Sequence, residues 1–319
     1  MEATLTDNLN KIKNLVLDNN DFTILSHMDP DGDAVGGVCA LAHGLKKIGK
    51  NVRPVLSGSL PINFYYLPLP VFEEKIPDTT DIFFVLDCAA LDRTGYMQEV
   101  LKREKAQIIN IDHHIQLNDF GHINVVDPSL TSTSEIIFHL LDFLSIDVDK
   151  NMANCLLTGI YFDTGSFMHS NTTKDSLEIA AQLVSKGANI KQIAENNFRR
   201  KNVSALKLWG RVLSRIKNDR EKGIVSSIIT KKDLEECGAN ESDIEGVVNL
   251  INSIPDARAA LLLREDKDEI RGSLRSENGG LDVRKVANLF GGGGHVRASG
   301  FRIKGKLRET ENGWEIIEE

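Results

Sequence analysis

The stretch Phe22-Thr23-Ile24-Leu25-Ser26-His27-Met28-Asp29-Pro30-Asp31-Gly32-Asp33-Ala34-Val35-Gly36-Gly37 decides the fold. Its first four residues read as a strand buried on both faces, and the segment from Gly36 to Ile48 reads as the helix that follows. Between them lies a polar loop holding His27, Asp31 and Asp33, in which Pro30 and Gly32 force turns. The same grammar recurs outward. Asn51 to Leu56, Asp81 to Leu86 and Gln107 to Ile111 are further short apolar runs separated by helical patterns. Such a series predicts a mostly parallel sheet covered on both faces by helices. In sheets of this kind ligands bind beyond the carboxyl ends of the strands. Three strands run directly into polar clusters at that end: Leu25 into Ser26-His27, Leu86 into Asp87, and Ile111 into Asp112-His113-His114.

Whole-chain properties limit the function classes. The 319 residues suit two domains better than one. With 38 Lys and Arg against 46 Asp and Glu the net charge is −8, which argues against a long nucleic-acid duplex covering the surface. Met1 to Leu9 lacks the basic start and apolar run of a signal peptide, and no stretch has the length of a membrane span, so a cytoplasmic chain with no membrane partner is expected. Cys39, Cys88, Cys155 and Cys237 form no CxxC pair and are expected as buried thiols.

The segment Asn189 to Arg220 is helical in pattern and basic, with nine Lys or Arg against Glu195 and Asp219. It is expected to link two domains facing each other across a cleft, which sets the boundaries at 1–188, 189–220 and 221–319. Beyond it come strands at Ile224 to Ile229, Ala257 to Leu263 and Glu269 to Arg275. Helices are expected near Asp243 to Ile254 and Val283 to Phe290. The acidic end from Glu309 to Glu319 has no Lys or Arg and is expected to be solvated.

His27, Asp31, Asp33, Asp87, His113 and Asp163 are the candidate metal ligands. For the first loop alone, an Asp-rich turn capping the next helix explains the residues equally well. The clusters together favour metal. Imidazole mixed with carboxylate suits manganese, iron, cobalt or zinc better than calcium. Asp31, Asp33, Asp87 and Asp163 bring four negative charges, which two divalent cations balance and one does not. A pair of ions suits displacement at phosphorus. Of the adjacent imidazoles of His113 and His114, one can bind metal while the other faces substrate. His43, His122, His139 and His169 are expected in structural or surface roles.

The order His27-xxx-Asp31-x-Asp33, Asp87, Asp112-His113-His114, Asp163 resembles that of the DHH phosphoesterases. Gly291-Gly292-Gly293-Gly294-His295-Val296-Arg297-Ala298-Ser299-Gly300 is similar to the glycine-rich signature of their associated C-terminal domain. Asn118, Asn124 to Asp127, Ser132-Thr133-Ser134-Glu135, Asp163 to Phe167 and Ser170 to Thr173 resemble the nanoRNase and pAp phosphatase group. The resemblance implies an N-terminal DHH fold and a smaller C-terminal α/β domain with a mixed sheet. It implies two divalent ions, manganese first. His27, Asp31 and Asp87 would hold one, and Asp33, Asp87, His113 and Asp163 the other. Asp112 would orient its neighbour, and His114 would face the scissile phosphate. The implied substrates are short oligoribonucleotides and dinucleotides, cleaved to mononucleotides, and the 3′-phosphate of 3′-phosphoadenosine 5′-phosphate. Cyclic-dinucleotide hydrolysis, pyrophosphate hydrolysis and a nucleotide-sensing role without catalysis stay open, as does a homodimer.

The C-terminal part supplies a second candidate region. Four glycines before His295 read as a loop through which backbone approaches a ligand, with Gly293 and Gly294 at its tip. From Arg258 to Arg308 there are twelve Lys or Arg against six Asp or Glu. Strand alternation places Arg271, Ser273 and Arg275 on one face, where they could grip a terminal phosphate.

Overall fold

The computed structural model describes residues 2–114, 119–196, 202–244, 246–276, 280–294, 296–310 and 313–317. The chain divides into two compact units, Met1–Arg199 and Arg200–Glu319. The division falls inside the basic segment 189–220.

The first unit contains, in order, α1 (Glu2–Asp18), β1 (Asp21–Leu25), α2 (Gly32–Lys47), β2 (Asn51–Val55), β3 (Ile82–Leu86), α3 (Met97–Leu101), β4 (Gln107–Asp112), β5 (Ile123–Val126), α4 (Thr133–Phe143), α5 (Lys150–Asp163), α6 (Lys174–Ser185) and α7 (Ile190–Ala194). Its sheet has the order β2-β1-β3-β4-β5 with every pairing parallel. Both faces are covered, as the continuous apolar strands require. Phe84 and Leu86 of β3 point into a core shared with α2, α4 and α5, while Phe83 and Val85 point into a second cluster with Val100 and Ile108. The strand order reverses between β1 and β3. That is the switch point at which connections leave in opposite directions and open a crevice.

The expected loop between β1 and α2 is shorter than its sequence suggests. Helix α2 begins at Gly32, because the Asp31 side chain caps it by accepting from the N–H groups of Asp33 (3.0 Å) and Ala34 (3.1 Å). Asp33 therefore sits in the first helical turn and not on the loop. The capping reading and the ligand reading of Asp31 are compatible, since its second oxygen plays no part in the cap. Asp163 is likewise the last residue of α5 and not a strand end. Gly36 explains how α2 packs: a Cβ there would lie 2.5 Å from the Cys155 carbonyl oxygen of α5. All four cysteines are buried and free.

The second unit contains α8 (Val203–Ser214), β6 (Lys217–Asp219), β7 (Ile224–Ile229), α9 (Lys231–Cys237), α10 (Val247–Asn252), β8 (Ala259–Asp266), β9 (Glu269–Arg275), α11 (Val283–Leu289), β10 (Gly293–Gly294), β11 (Ala298–Lys304), β12 (Lys306–Thr310) and β13 (Gly313–Ile317). Its sheet has the order β10-β11-β9-β8-β7-β6 and is mixed, with β7 and β8 parallel and the other pairs antiparallel. Helix α8 buries Leu208 and Val212 against Val225 and Ile251 of this unit.

The acidic end is not a solvated tail. β12 and β13 form a hairpin in which Arg308 is ion-paired with Glu315, and Leu307 and Trp314 pack against Ile228 and Ile270. Charge alone hid an alternation whose partner residues lie about forty to eighty positions back. Among the described residues no helix is long and apolar enough to cross a membrane.

Candidate metal centre

The six predicted ligands converge at the carboxyl end of the first sheet. His27 follows β1 by two residues, Asp87 follows β3 directly, and Asp112 closes β4 just before His113 and His114. Asp31 and Asp33 arrive on the N-terminus of α2, and Asp163 on the C-terminus of α5. Three overlapping groups place a donor atom from each member within 4.8 Å of the others: His27, Asp31 and Asp87; Asp33, His113 and Asp163; and Asp87 with Asp112, His113 and His114. Asp87 belongs to two of them. It is held in the left-handed region at φ +59, a conformation that costs a non-glycine residue about 1–2 kcal/mol.

Individual contacts show how the ligands are aimed. His27 Nδ1–H donates to Met28 O at 2.8 Å, which turns Nε2 toward Asp87 Oδ2 (3.7 Å) and Asp31 Oδ1 (4.0 Å). His113 Nε2 lies 3.0 Å from Asp163 Oδ2 and 3.8 Å from Asp87 Oδ1. Despite the short first distance, Nε2 is buried and makes no hydrogen bond of acceptable angle. The two atoms stand close enough to serve one cation together. His114 Nδ1–H is shared between Asp112 Oδ1 (2.7 Å) and Asp87 Oδ1 (3.2 Å), and the Asp112 carboxylate also accepts from the His114 backbone N–H (2.9 Å).

The electrostatics follow from crowding four carboxylates into a dry corner. Burial and the like charges of Asp163 and Asp87 push Asp33 well above the usual carboxylate range. Burial and the charges of Asp87 and Asp163 raise Asp31 to about 7. Since 38% of the Asp31 side chain stays accessible, the neighbouring carboxylates matter most there. Burial also works against Asp87, but His114, His27 and His113 outweigh it and hold the carboxyl well below its ordinary range. Burial opposes the imidazoliums too, and the acids win again: His27 rises to about 9 through Asp87 and Asp31, His113 to about 9 through Asp163 and Asp33, and His114 to about 11 through Asp112 and Asp87. These imidazoles carry the balancing positive charge, and a divalent cation held there would take over that duty at His27 and His113 only by displacing their protons. The donor set, imidazole nitrogen with carboxylate oxygen converging from several elements, fits such cations.

Two residues absent from the predicted set touch the ligands. Thr133 and Ser134 at the start of α4 donate backbone N–H bonds to both oxygens of Asp33 (2.6 and 2.9 Å), and Thr133 Oγ1 donates to Asp87 Oδ1 (3.2 Å). A serine- and threonine-rich helix start is visible in the sequence, but nothing local says which carboxylates it meets. His169 Nδ1 and Asn171 Nδ2 lie 3.3 and 3.2 Å from the Asp163 carbonyl and support the end of α5. His43 and His122 contact backbone groups away from this centre.

In the second unit, Arg271, Ser273 and Arg275 do share the face of β9 opposite Ile270 and Leu274. Strand register adds Arg264 of β8 and Arg302 of β11 directly beside Arg271. Three arginines side by side repel one another. Asp266 Oδ2 approaches Arg271 Nε at 2.6 Å and Glu241 Oε2 approaches Arg264 at 3.4 Å, partly offsetting that repulsion. Arg275 donates instead to Asn249 Oδ1 (3.1 Å) and to Leu274 O (3.0 Å). The expected glycine loop is in part a strand: Gly293 and Gly294 pair with Gly300 and Ser299. The glycines serve that pairing, since a Cβ on Gly292 would lie 2.1 Å from Gly300 O and one on Gly294 2.6 Å from Ala298 O. His295 and Asn118 lie outside the described residues.

Residues 21–160 match the DHH family N-terminal domain, and residues 220–318 match the DHHA1 domain. The chain is 32% identical over 283 residues to the bifunctional oligoribonuclease and PAP phosphatase NrnA of Thermus thermophilus, covering 88% of this chain and 84% of that protein. It is 28% identical over 284 residues to the protein of the same name from Bacillus subtilis, covering 87% of each. The crystal structure of an exopolyphosphatase-related protein from Bacteroides fragilis superposes with a TM-score of 0.88 at 29% identity, over 94% of this chain and 92% of that one.

Proposed function

The chain belongs to the DHH family, and from that premise we propose that it is a phosphoesterase using two divalent ions, manganese first, to hydrolyse short oligoribonucleotides and dinucleotides to mononucleotides and to remove the 3′-phosphate of 3′-phosphoadenosine 5′-phosphate. The observation that carries this reading is the convergence of three overlapping ligand groups, joined through Asp87 and His113, at the switch point of the sheet. His27, Asp31 and Asp87 would hold one ion, and Asp33, Asp87, His113 and Asp163 the other. Bound there, the ions supply Lewis acidity and charge compensation for in-line displacement at phosphorus.

The remaining residues orient and stabilise. Asp112 fixes the His114 ring by accepting hydrogen bonds from its Nδ1–H and its backbone N–H, so the ring presents Nε2 to the substrate. With its pKa near 11, His114 keeps its proton at neutral pH and offers positive charge to the phosphoryl oxygens. In the second unit Arg271 and Ser273, with Gly293, Gly294 and His295, would receive a terminal phosphate. Arg275 would support that face through Asn249. Residues 1–188 would form the catalytic domain and 221–319 the substrate-binding domain, with 189–220 the connection, whose α8 and β6 are built into the second unit.

The test is a rate comparison with purified protein in manganese, using a linear dinucleotide, a five-residue RNA, a cyclic dinucleotide, 3′-phosphoadenosine 5′-phosphate and pyrophosphate. The dinucleotide and the short RNA should be fastest. Pyrophosphate as the sole substrate, or no hydrolysis of any, would overturn the reading.

A further inference from the structure

Asp33 and Asp87 come from different elements, the first turn of α2 and the end of β3, and two carboxylates side by side repel. Something must hold them at a common site. Thr133, the first residue of α4, is fully buried and touches both: its N–H donates to Asp33 Oδ2 at 2.6 Å, and its Oγ1 donates to Asp87 Oδ1 at 3.2 Å. Ser134 N–H adds the second oxygen of Asp33 at 2.9 Å. The Ser132 side chain caps only the Glu135 N–H of α4, at 3.1 Å, so the N–H groups of Thr133 and Ser134 are left for Asp33. The first N–H groups of a helix have no partner within it, and here two of them are directed at one carboxylate. Helix α5 is built to admit this approach: a Cβ on Gly159 would lie 2.0 Å from Ser134 Oγ and 2.5 Å from Asp33 Oδ1.

We propose that Thr133 is a positioning residue of the metal centre, tying Asp33 and Asp87 together through one side chain and its own backbone so that their remaining lone pairs face the cations. The inference rests on the reading above that these carboxylates hold divalent ions. Groups that orient metal ligands in this way typically account for about 10- to 100-fold in metal affinity.

The experiment uses the full chain and Mn²⁺ alone. Thr133→Val keeps the shape and the N–H but removes the hydroxyl, whereas Thr133→Ser restores it. Calorimetric titration with Mn²⁺ is paired with thermal melting in metal-free buffer. Thr133→Val should bind Mn²⁺ about 10- to 100-fold more weakly, and Thr133→Ser should bind close to wild type. A merely structural residue would lower the metal-free melting temperature and leave the affinity of the folded protein unchanged. Wild-type affinity in Thr133→Val, or equal weakening in Thr133→Ser, would overturn the inference. If Thr133→Val does not fold without metal, saturating Mn²⁺ should restore the fold. A chain still unfolded under those conditions would assign Thr133 to folding alone and also overturn the proposal. A wild-type chain that fails to bind Mn²⁺ would instead remove the functional reading on which the inference stands.

Discussion

Replacing Gly159 by alanine sets helix propensity against packing, and the sign of the result decides between them. Gly159 lies in the interior of α5, where propensity alone favours alanine by about 1 kcal/mol. The neighbours say otherwise. The new methyl group would fall 2.0 Å from Ser134 Oγ, 2.5 Å from Asp33 Oδ1 and 2.7 Å from Ser134 Cβ. Rotating the serine relieves only the first contact, so α4 or α5 has to shift. Overpacking of this kind costs about 1–3 kcal/mol. The shift also strains the two N–H bonds to the Asp33 carboxylate, each on the order of 1.5–3 kcal/mol when the acceptor is charged. Overpacking less the propensity gain leaves about 0–2 kcal/mol, and weakening the two bonds by the equivalent of one adds about 1.5–3, so a net loss of about 2–5 kcal/mol is expected, with weaker Mn²⁺ binding because Asp33 moves. Gly210→Ala in α8 is the control: nothing lies within 4 Å of its added Cβ, so it should be neutral or stabilising by up to about 1 kcal/mol. Chemical denaturation of both variants, followed by Mn²⁺ titration, reads the difference. A Gly159→Ala protein as stable as wild type, with unchanged Mn²⁺ affinity, would refute the packing argument.

Three further outcomes are expected. A chelator should abolish hydrolysis and manganese should best restore it, with Asp87→Asn the most damaging ligand change because Asp87 serves two ligand groups; full activity in metal-free buffer would contradict this. Mn²⁺ affinity should rise with pH, because His27 and His113 keep their protons below about 9 and must release them to bind a cation. Each displaced proton contributes about tenfold per pH unit below that value, and calorimetry showing no proton release near pH 7 would refute the assignment. Oligonucleotides of two to five residues should be cleaved faster than long RNA, and Arg271→Ala should weaken that preference by about ten- to a hundred-fold in kcat/KM while leaving Mn²⁺ binding intact; unchanged dinucleotide kinetics in the variant would show that the second unit does not measure length.

The site was legible in the sequence where chemistry and local position coincide. His27, Asp87 and Asp112-His113-His114 stand at the ends of apolar runs, and a parallel sheet brings such ends together whatever the details of packing. Element edges were harder to read. Asp31 and Asp33 looked like loop residues because Pro30 and Gly32 mark a turn, yet the Asp31 side chain starts the helix at once. The acidic end looked solvated because its charge outweighs a sparse alternation whose partners, Ile228 and Ile270 among them, are distant in sequence.

The sequence by itself determined the alternation of strand and helix, the ligand types and their order, and the shared face of Arg271, Ser273 and Arg275, since all of these depend on local period and residue chemistry. Tertiary structure alone decided which donors meet. It placed Thr133 between Asp33 and Asp87, turned Gly293 and Gly294 into a strand, and set Arg264 and Arg302 beside Arg271. Some of these contacts join residues only five to seven positions apart, and others reach across about a hundred. They are fixed by how closely helices can approach and by the register between strands, and neither quantity is encoded in any one segment.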